Sequence, residues 1–292
     1  MIRSISLGAV IAAMTTTAQA DVSEKIVTLM SEGQKVVATL ATPPGDPAPV
    51  VLLLHGFTGA RDELASDHVP GVFAHSAQKL GDAGLASLRI DFRGSGQSVA
   101  GMSFADTTFE SQITDAMAAI EYLKDLDAVD GNDIHVIGWS QGGLVAASLA
   151  GRGADVDTVS LWNAVGEPTA TYGGLFGDEV LATGKAAPDD SVVPVKLPWG
   201  AEIELKGAFF DGVATHDPIE EIRGYGGPLF VASGAQDTLV LPENGEKFIA
   251  AHQGEEVLWK ADMDHVFNVF VTADTLNEML GETIAFIEKY DD

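Results

Sequence analysis

Gly138-Trp139-Ser140-Gln141-Gly142-Gly143 is the stretch that decides how this chain of 292 residues is read. Just before it, residues 134–138 form a short apolar run of the kind found in a buried strand, and just after it residues 144–149 read as helix. Gly-x-Ser-x-Gly between a strand and a helix puts the serine on a sharp turn. The crowded backbone of that turn requires small residues two places before and two after it. Gly138 and Gly142 occupy those places. The helix amino terminus beneath favours negative charge developing nearby. Alone, the pentapeptide also fits an ordinary glycine-rich turn; the strand before it and the helix after it point to Ser140 as a nucleophile.

On both sides of this turn, strands alternate with helices. Residues 25–30 and 34–40 flank Ser31-Glu32-Gly33 as a hairpin. Residues 50–54, Val-Val-Leu-Leu-Leu, are apolar without interruption, as in a strand buried on both faces. Residues 72–81 read as helix, 86–90 as strand and 107–126 as the longest amphipathic helix, with Ile113, Met117, Ile120 and Leu123 on one stripe. Strands at 156–162, 228–233 and 256–260 and a helix at 272–290 complete the series. The fold class expected is α/β, with a mainly parallel central sheet covered by helices on both faces. Residues 163–222 break the rhythm: they carry Gly173-Gly174 and a hairpin of 192–197 with 201–206 around Pro198-Trp199-Gly200. A structureless loop of that length is uncommon in a compact domain, so the stretch reads as a cap inserted over the carboxyl ends of the strands.

A serine hydroxyl needs a base to become nucleophilic. On a strand-turn-helix nucleophile of this kind the partners follow in the order Ser, then Asp or Glu, then His. Asp237 lies in the loop after strand 228–233, and His265 follows strand 256–260; both suit a triad with Ser140. Singly, each also fits an ordinary loop residue. Asp262 and Asp264 compete for the acidic role, but their closeness to His265 in sequence makes its ring harder for them to reach. An oxyanion needs two backbone donors, each contributing about 3 kcal/mol. The amide of Gln141 is one candidate and that of Phe57, in His55-Gly56-Phe57-Thr58-Gly59, the other. His55, beside a strand-end glycine, reads as a residue that fixes its loop.

Composition narrows the function classes. With 43 acidic against 16 basic side chains the chain carries −27, which disfavours nucleic acid, anionic membranes and polyanionic substrates. The absence of cysteine excludes disulfides and thiol catalysis, and the seven histidines show no metal-site spacing, so no metal is expected. Gly94-Ser95-Gly96 lacks the lysine of a phosphate-binding loop, and acyl transfer through a serine calls for no cofactor. No apolar run is long enough to span a membrane. Residues 1–20, with Arg3, an apolar run and Ala18-Gln19-Ala20, have the order of an export signal cleaved before Asp21. The expectation is a periplasmic or extracellular protein acting on a small molecule, its oligomeric state left open.

His55-Gly56-Phe57-Thr58-Gly59, Asp91-Phe92-Arg93-Gly94-Ser95-Gly96, the Ser140 turn, Asp237 and Asp264-His265 resemble the α/β-hydrolase superfamily over nearly the whole chain beyond residue 20. Within it, the His-Gly-Phe-Thr loop, the Ser-Gln-Gly-Gly turn, Leu197-Pro198-Trp199 and Gly207-Ala208-Phe209-Phe210 are most similar to bacterial cinnamoyl (feruloyl) esterases. That resemblance implies a serine carboxylesterase working through an acyl-enzyme, with the cap hairpin enclosing an aromatic acyl group. Trp199, Phe209 and Phe210 are the candidate walls of that pocket; packing of the cap onto the main domain is the alternative use of these rings. Superfamily members with an Asp or Cys nucleophile are excluded by Ser140 and by the absence of cysteine. An amidase or aminopeptidase with the same triad, and a non-catalytic binding protein, remain alternatives.

Overall fold

Residues 50–54 are apolar throughout because their strand has helices on both sides. Val50, Leu52 and Leu54 enter one core with Ile113, Ile120, Val136 and Leu144. Val51 and Leu53 enter the other with Phe73, Leu80, Leu276 and Leu280. The period-two alternation of a strand divides one apolar run between two layers. The computed structural model describes residues 21–290, so the export signal expected at residues 1–20 lies outside the described residues.

In chain order, β1 (Ser23–Ser31) and β2 (Gln34–Thr42) form an antiparallel hairpin. Its two-residue turn has Glu32 and Gly33 at φ 46° and 76°, the left-handed pair that matches strand twist. Then come β3 (Ala48–Leu54), α1 (Val72–Asp82), β4 (Ala86–Ile90) and α2 (Phe109–Lys124). α2 begins at Thr108 because that side chain accepts a hydrogen bond from the Ser111 N–H. β5 (Val129–Trp139) leads through Ser140 into α3 (Gln141–Gly151), followed by β6 (Thr158–Trp162). After the inserted segment the chain resumes with β9 (Leu229–Gly234), α8 (Glu243–Ala251), β10 (Glu256–Ala261) and α9 (Asp274–Glu288). The sheet has eight strands in the order β1-β2-β4-β3-β5-β6-β9-β10. It is parallel from β4 to β10, with β1 and β2 antiparallel at one edge. Helix α8 has no counterpart in the sequence reading: Phe248 and Ala251 turn inward, too few apolar residues to register as a stripe.

Between β6 and β9 lie α4 (Pro168–Phe176), α5 (Asp178–Ala186), the two-stranded sheet of β7 (Val192–Lys196) and β8 (Glu202–Lys206), α6 (Gly207–Thr215) and α7 (Pro218–Glu221). Tyr172, Phe176, Phe209 and Phe210 make the buried centre of this segment, joined to Phe57 and Phe109 of the main domain by ring contacts. Gly184 is required there, since a Cβ would lie 2.2 Å from the Phe210 ring.

The charge excess has a thermodynamic consequence. Like charges on the folded surface repel, and salt screens them over about 10 Å at 0.1 M. The Tm is therefore expected to rise as NaCl increases from low salt to about 0.5 M. A steady fall over that range would contradict net self-repulsion.

Candidate active site

Ser140 has φ 56° and ψ −117°, a conformation that L-residues avoid at a cost of about 1–3 kcal/mol. Its backbone is clamped: Ser140 N–H donates to Trp162 O at 3.0 Å, and its carbonyl accepts from Gly143, Leu144 and Val165. The glycines around it are steric necessities. A Cβ on Gly138 would lie 2.2 Å from the Gly142 oxygen, and one on Gly142 would lie 2.0 Å from the Leu54 oxygen. Gly143 is equally constrained, with Ala164 Cβ at 2.3 Å from the same position.

The turn delivers Ser140 to two groups from distant loops. His265 Nε2 is 3.0 Å from Ser140 Oγ, and His265 Nδ1 is 2.7 Å from Asp237 Oδ2. Asp237 is buried, and its Oδ1 accepts from the amides of Leu239 and Val240, both at 2.9 Å. Asp264 is occupied elsewhere: Oδ1 accepts from Val266 and Asn268 at 3.0 and 2.8 Å. Asp262 accepts from Gln236. Asn163, which the sequence reading did not single out, joins the strand ends. Its side chain donates to the carbonyls of Asp264 and His265 and accepts from Gly234 N–H. Its φ of 42° is tolerable for asparagine, the one local hint of a special position. Trp139 adds a third hold on the His265 loop, its indole N–H donating to the His265 carbonyl.

Gln141 is the first residue of α3, so its N–H has no carbonyl one turn behind it in the helix. Its side chain is pinned from two sides, donating to Gln112 at 2.6 Å and accepting from the Tyr172 hydroxyl. Burial holds the Tyr172 phenol well above its ordinary range, so it remains a donor. The loop after β3 abuts Ser140: a Cβ on Gly56 would lie 3.4 Å from Ser140 Cβ. Phe57 and Ser140 line one cavity. His55 holds this loop in place. Its Nδ1 is 2.8 Å from Gly56 O, and its Nε2 accepts from Phe92 N–H at 3.2 Å, an arrangement that fixes the neutral tautomer. Burial lowers its pKa, which agrees with that neutral ring.

The cavity over Ser140 and His265 measures about 540 Å³, and Phe57, Trp139, Tyr172 and Trp199 form much of its wall. Trp199, at the tip of the β7–β8 hairpin, is 57% exposed, and Phe270 on the opposite loop is 59% exposed. Phe209 and Phe210 require a correction. Both are 1% exposed, and neither reaches this cavity. Helix α6 turns them into the aromatic centre of the inserted segment, where Phe209 packs on the outer side of Phe57 and Tyr172. Tyr172, Glu63 and Phe270 take wall positions instead. Nothing local in the sequence marks them, because segments far apart in the chain, two loops and helix α4, bring them together.

The sequence model of a family described as alpha/beta hydrolase fold matches residues 49–169, from β3 through the Ser140 turn. No curated protein matches the chain in sequence. Among solved structures, the chain is similar to Est1E from Butyrivibrio proteoclasticus with ferulic acid bound, at 21% identity and TM-score 0.70, over 90% of this chain and 98% of that one. It is similar to the Pyrococcus furiosus esterase Pf2001, at 21% identity and TM-score 0.67, over 96% and 95% of the two chains. The esterase domain of a Rhodothermus marinus protein is similar at 21% identity and TM-score 0.66, over 92% and 99%. Among the described residues no helix is long and apolar enough to cross a membrane. Strand order, the matched segment and these likenesses together give this chain the α/β-hydrolase fold.

Proposed function

We propose that this chain is a serine carboxylesterase that passes its substrate through an acyl-enzyme on Ser140. The observation that carries this reading is the hydrogen-bonded relay from Ser140 Oγ through both nitrogens of His265 to the buried carboxylate of Asp237. Ser140 attacks the ester carbonyl as His265 takes its proton, and the amides of Phe57 and Gln141 receive the oxyanion. His265 then protonates the leaving alcohol, and water releases the acyl group by the same route. Asp237 keeps the Nδ1 proton in place and stabilises the imidazolium. Labelling by a fluorophosphonate at Ser140, abolished in Ser140→Ala, tests the nucleophile without knowledge of the substrate. A panel of p-nitrophenyl esters, methyl ferulate and aminoacyl anilides tests the class; turnover of the anilides alone would replace the esterase with an amidase.

Small aromatic-acyl esters are the favoured substrates in this reading, supported by the aromatic cavity wall and by the likeness to a fold neighbour that holds ferulic acid. Only Trp199 of the three cap aromatics faces the cavity, so it should carry selectivity. Trp199→Ala is expected to lower kcat/KM for methyl ferulate by roughly 10–200-fold more than for a methyl acetate control. Phe209→Ala is expected to lower stability by about 3–5 kcal/mol, with little change in the ratio of the two substrates. A Phe209 variant of native stability but altered ratio would reverse these roles. Residues 1–20 are read as an export signal, which places the enzyme in the periplasm or outside the cell; amino-terminal sequencing of the exported protein should begin at Asp21.

A further inference from the structure

Glu63 is the acidic side chain of the cavity wall that the relay does not use. Its position is built. Glu63 N–H donates to Ala60 O at 3.1 Å, and Glu63 O accepts from Val72 N–H at 3.0 Å, which ties this turn to the start of α1. Its carboxylate group lies across Gly59, where a Cβ would be 1.9 Å from Oε2, so the glycine makes room for it. Oε1 accepts from the N–H of Gly56 at 3.2 Å. Gly56 directly precedes Phe57 and packs against Ser140, so Glu63 holds the strand-end loop at the point where that loop meets the nucleophile.

No cation lies within ion-pair distance of Glu63 among the described residues. The nearby ones are committed: Arg61 to Asp91, and Arg89 to Asp62 and Glu24. Behind the loop, His55 accepts from Phe92 N–H at Nε2, and burial lowers its pKa. Across the cavity stand His265, backed by Asp237, and Tyr172, whose phenol burial keeps protonated. Burial, with a smaller push from Asp91, raises the Glu63 carboxyl to about 8 against the opposing pull of the Gly56 and Ala60 amides.

We propose that Glu63 is a positioning residue for the oxyanion loop: as the neutral acid it holds the turn at Gly56 and Phe57 against Ser140, and its ionisation weakens catalysis by placing a negative charge beside the forming oxyanion. The proposal rests on the serine-esterase reading above. A half-buried carboxylate in the wall of the cavity where the oxyanion forms opposes the charge that the loop amides are there to stabilise. Loss of its proton to solvent as pH rises is the only chemical step involved.

The test uses Glu63→Gln, which keeps an acceptor for Gly56 and cannot ionise, and Glu63→Ala, which removes the hold. Native kcat/KM for p-nitrophenyl acetate, with spontaneous hydrolysis subtracted, should fall roughly tenfold per unit above about pH 8. Glu63→Gln should lose that alkaline fall, its kcat/KM above about pH 8 staying within about threefold of its own value at neutrality. Glu63→Ala should lower kcat by about tenfold with KM little changed, because the loop donors act in the transition state. A readout independent of activity follows from linkage. A carboxyl with ordinary value 4.5 in the unfolded chain and about 8 in the fold makes the native chain progressively less stable between those limits. The Tm of Glu63→Gln minus that of the native chain should therefore widen in favour of the variant across this window and level off above it. A flat Tm difference, an unchanged alkaline fall in Glu63→Gln, or native kcat in a folded Glu63→Ala would each overturn the proposal. Turnover by Ser140→Ala would instead overturn the serine reading and leave the Tm comparison standing, so the two failures are separable.

Discussion

Ser140→Ala is expected to lower kcat/KM for p-nitrophenyl esters by about 10³-fold or more while leaving the fold in place. In the proposed mechanism the variant loses the attacking atom: the amides of Phe57 and Gln141 would still polarise the carbonyl, but only water could attack it. The fold should survive because the hydrogen bonds that hold the turn are made by the Ser140 backbone, to Trp162, Gly143, Leu144 and Val165. Among the described residues the side-chain oxygen hydrogen-bonds with His265 alone. Circular dichroism and a Tm close to native would show that the loss is chemical. His265→Ala combined with Ser140→Ala should cost little beyond either alone, since both act in one proton transfer. Native turnover by a folded Ser140→Ala variant would end the proposed mechanism.

Asp237→Asn should cost up to about 10⁴-fold, and the surroundings of the carboxylate say why. Oδ1 is held by the amides of Leu239 and Val240, so an asparagine would keep its oxygen there and turn its NH₂ toward His265 Nδ1. The ring would answer by accepting at Nδ1 and carrying its proton on Nε2, the nitrogen that faces Ser140. In that tautomer it cannot take the serine proton. Asp264→Asn is expected to be nearly silent by comparison, because that side chain turns away to accept from Val266 and Asn268, a task an amide oxygen performs as well. Kinetics on the two variants, side by side with one ester, decide the assignment. A crippled Asp264→Asn with a healthy Asp237→Asn would transfer the acid role.

The strands of the sheet, the Ser140 turn and the order of its partners are legible in the amino-acid sequence. The turn depends on interactions within a few residues, and each strand shows its burial in its own run of side chains. The crowding that demands Gly138 and Gly142 arises inside one tight turn, and the apolar run at 50–54 reports its two-sided burial directly. Asp237 and His265 are legible because a parallel sheet sends all its strand ends to one edge, so a loop residue after a strand has a known destination. The short helix α8 is not, because its inward face rests on few residues.

The tertiary structure alone decided the wall of the cavity. Trp199, Phe209 and Phe210 are equally aromatic and lie within twelve residues of each other, yet one is open to the site and two are buried away from it. What separates them is the direction in which hairpin and helix present their side chains, and that depends on how the inserted segment docks on Phe57 and Phe109. Asn163 and Glu63 belong to the same class. Asparagine and glutamate are ordinary loop residues by type; they acquire a role because chain segments distant in sequence surround them. The sequence determined which groups could do chemistry, since reactivity belongs to residue type and local turn geometry. Which groups hold those residues in place and line the site was decided only by packing, because burial and hydrogen-bond partners are properties of the assembled fold.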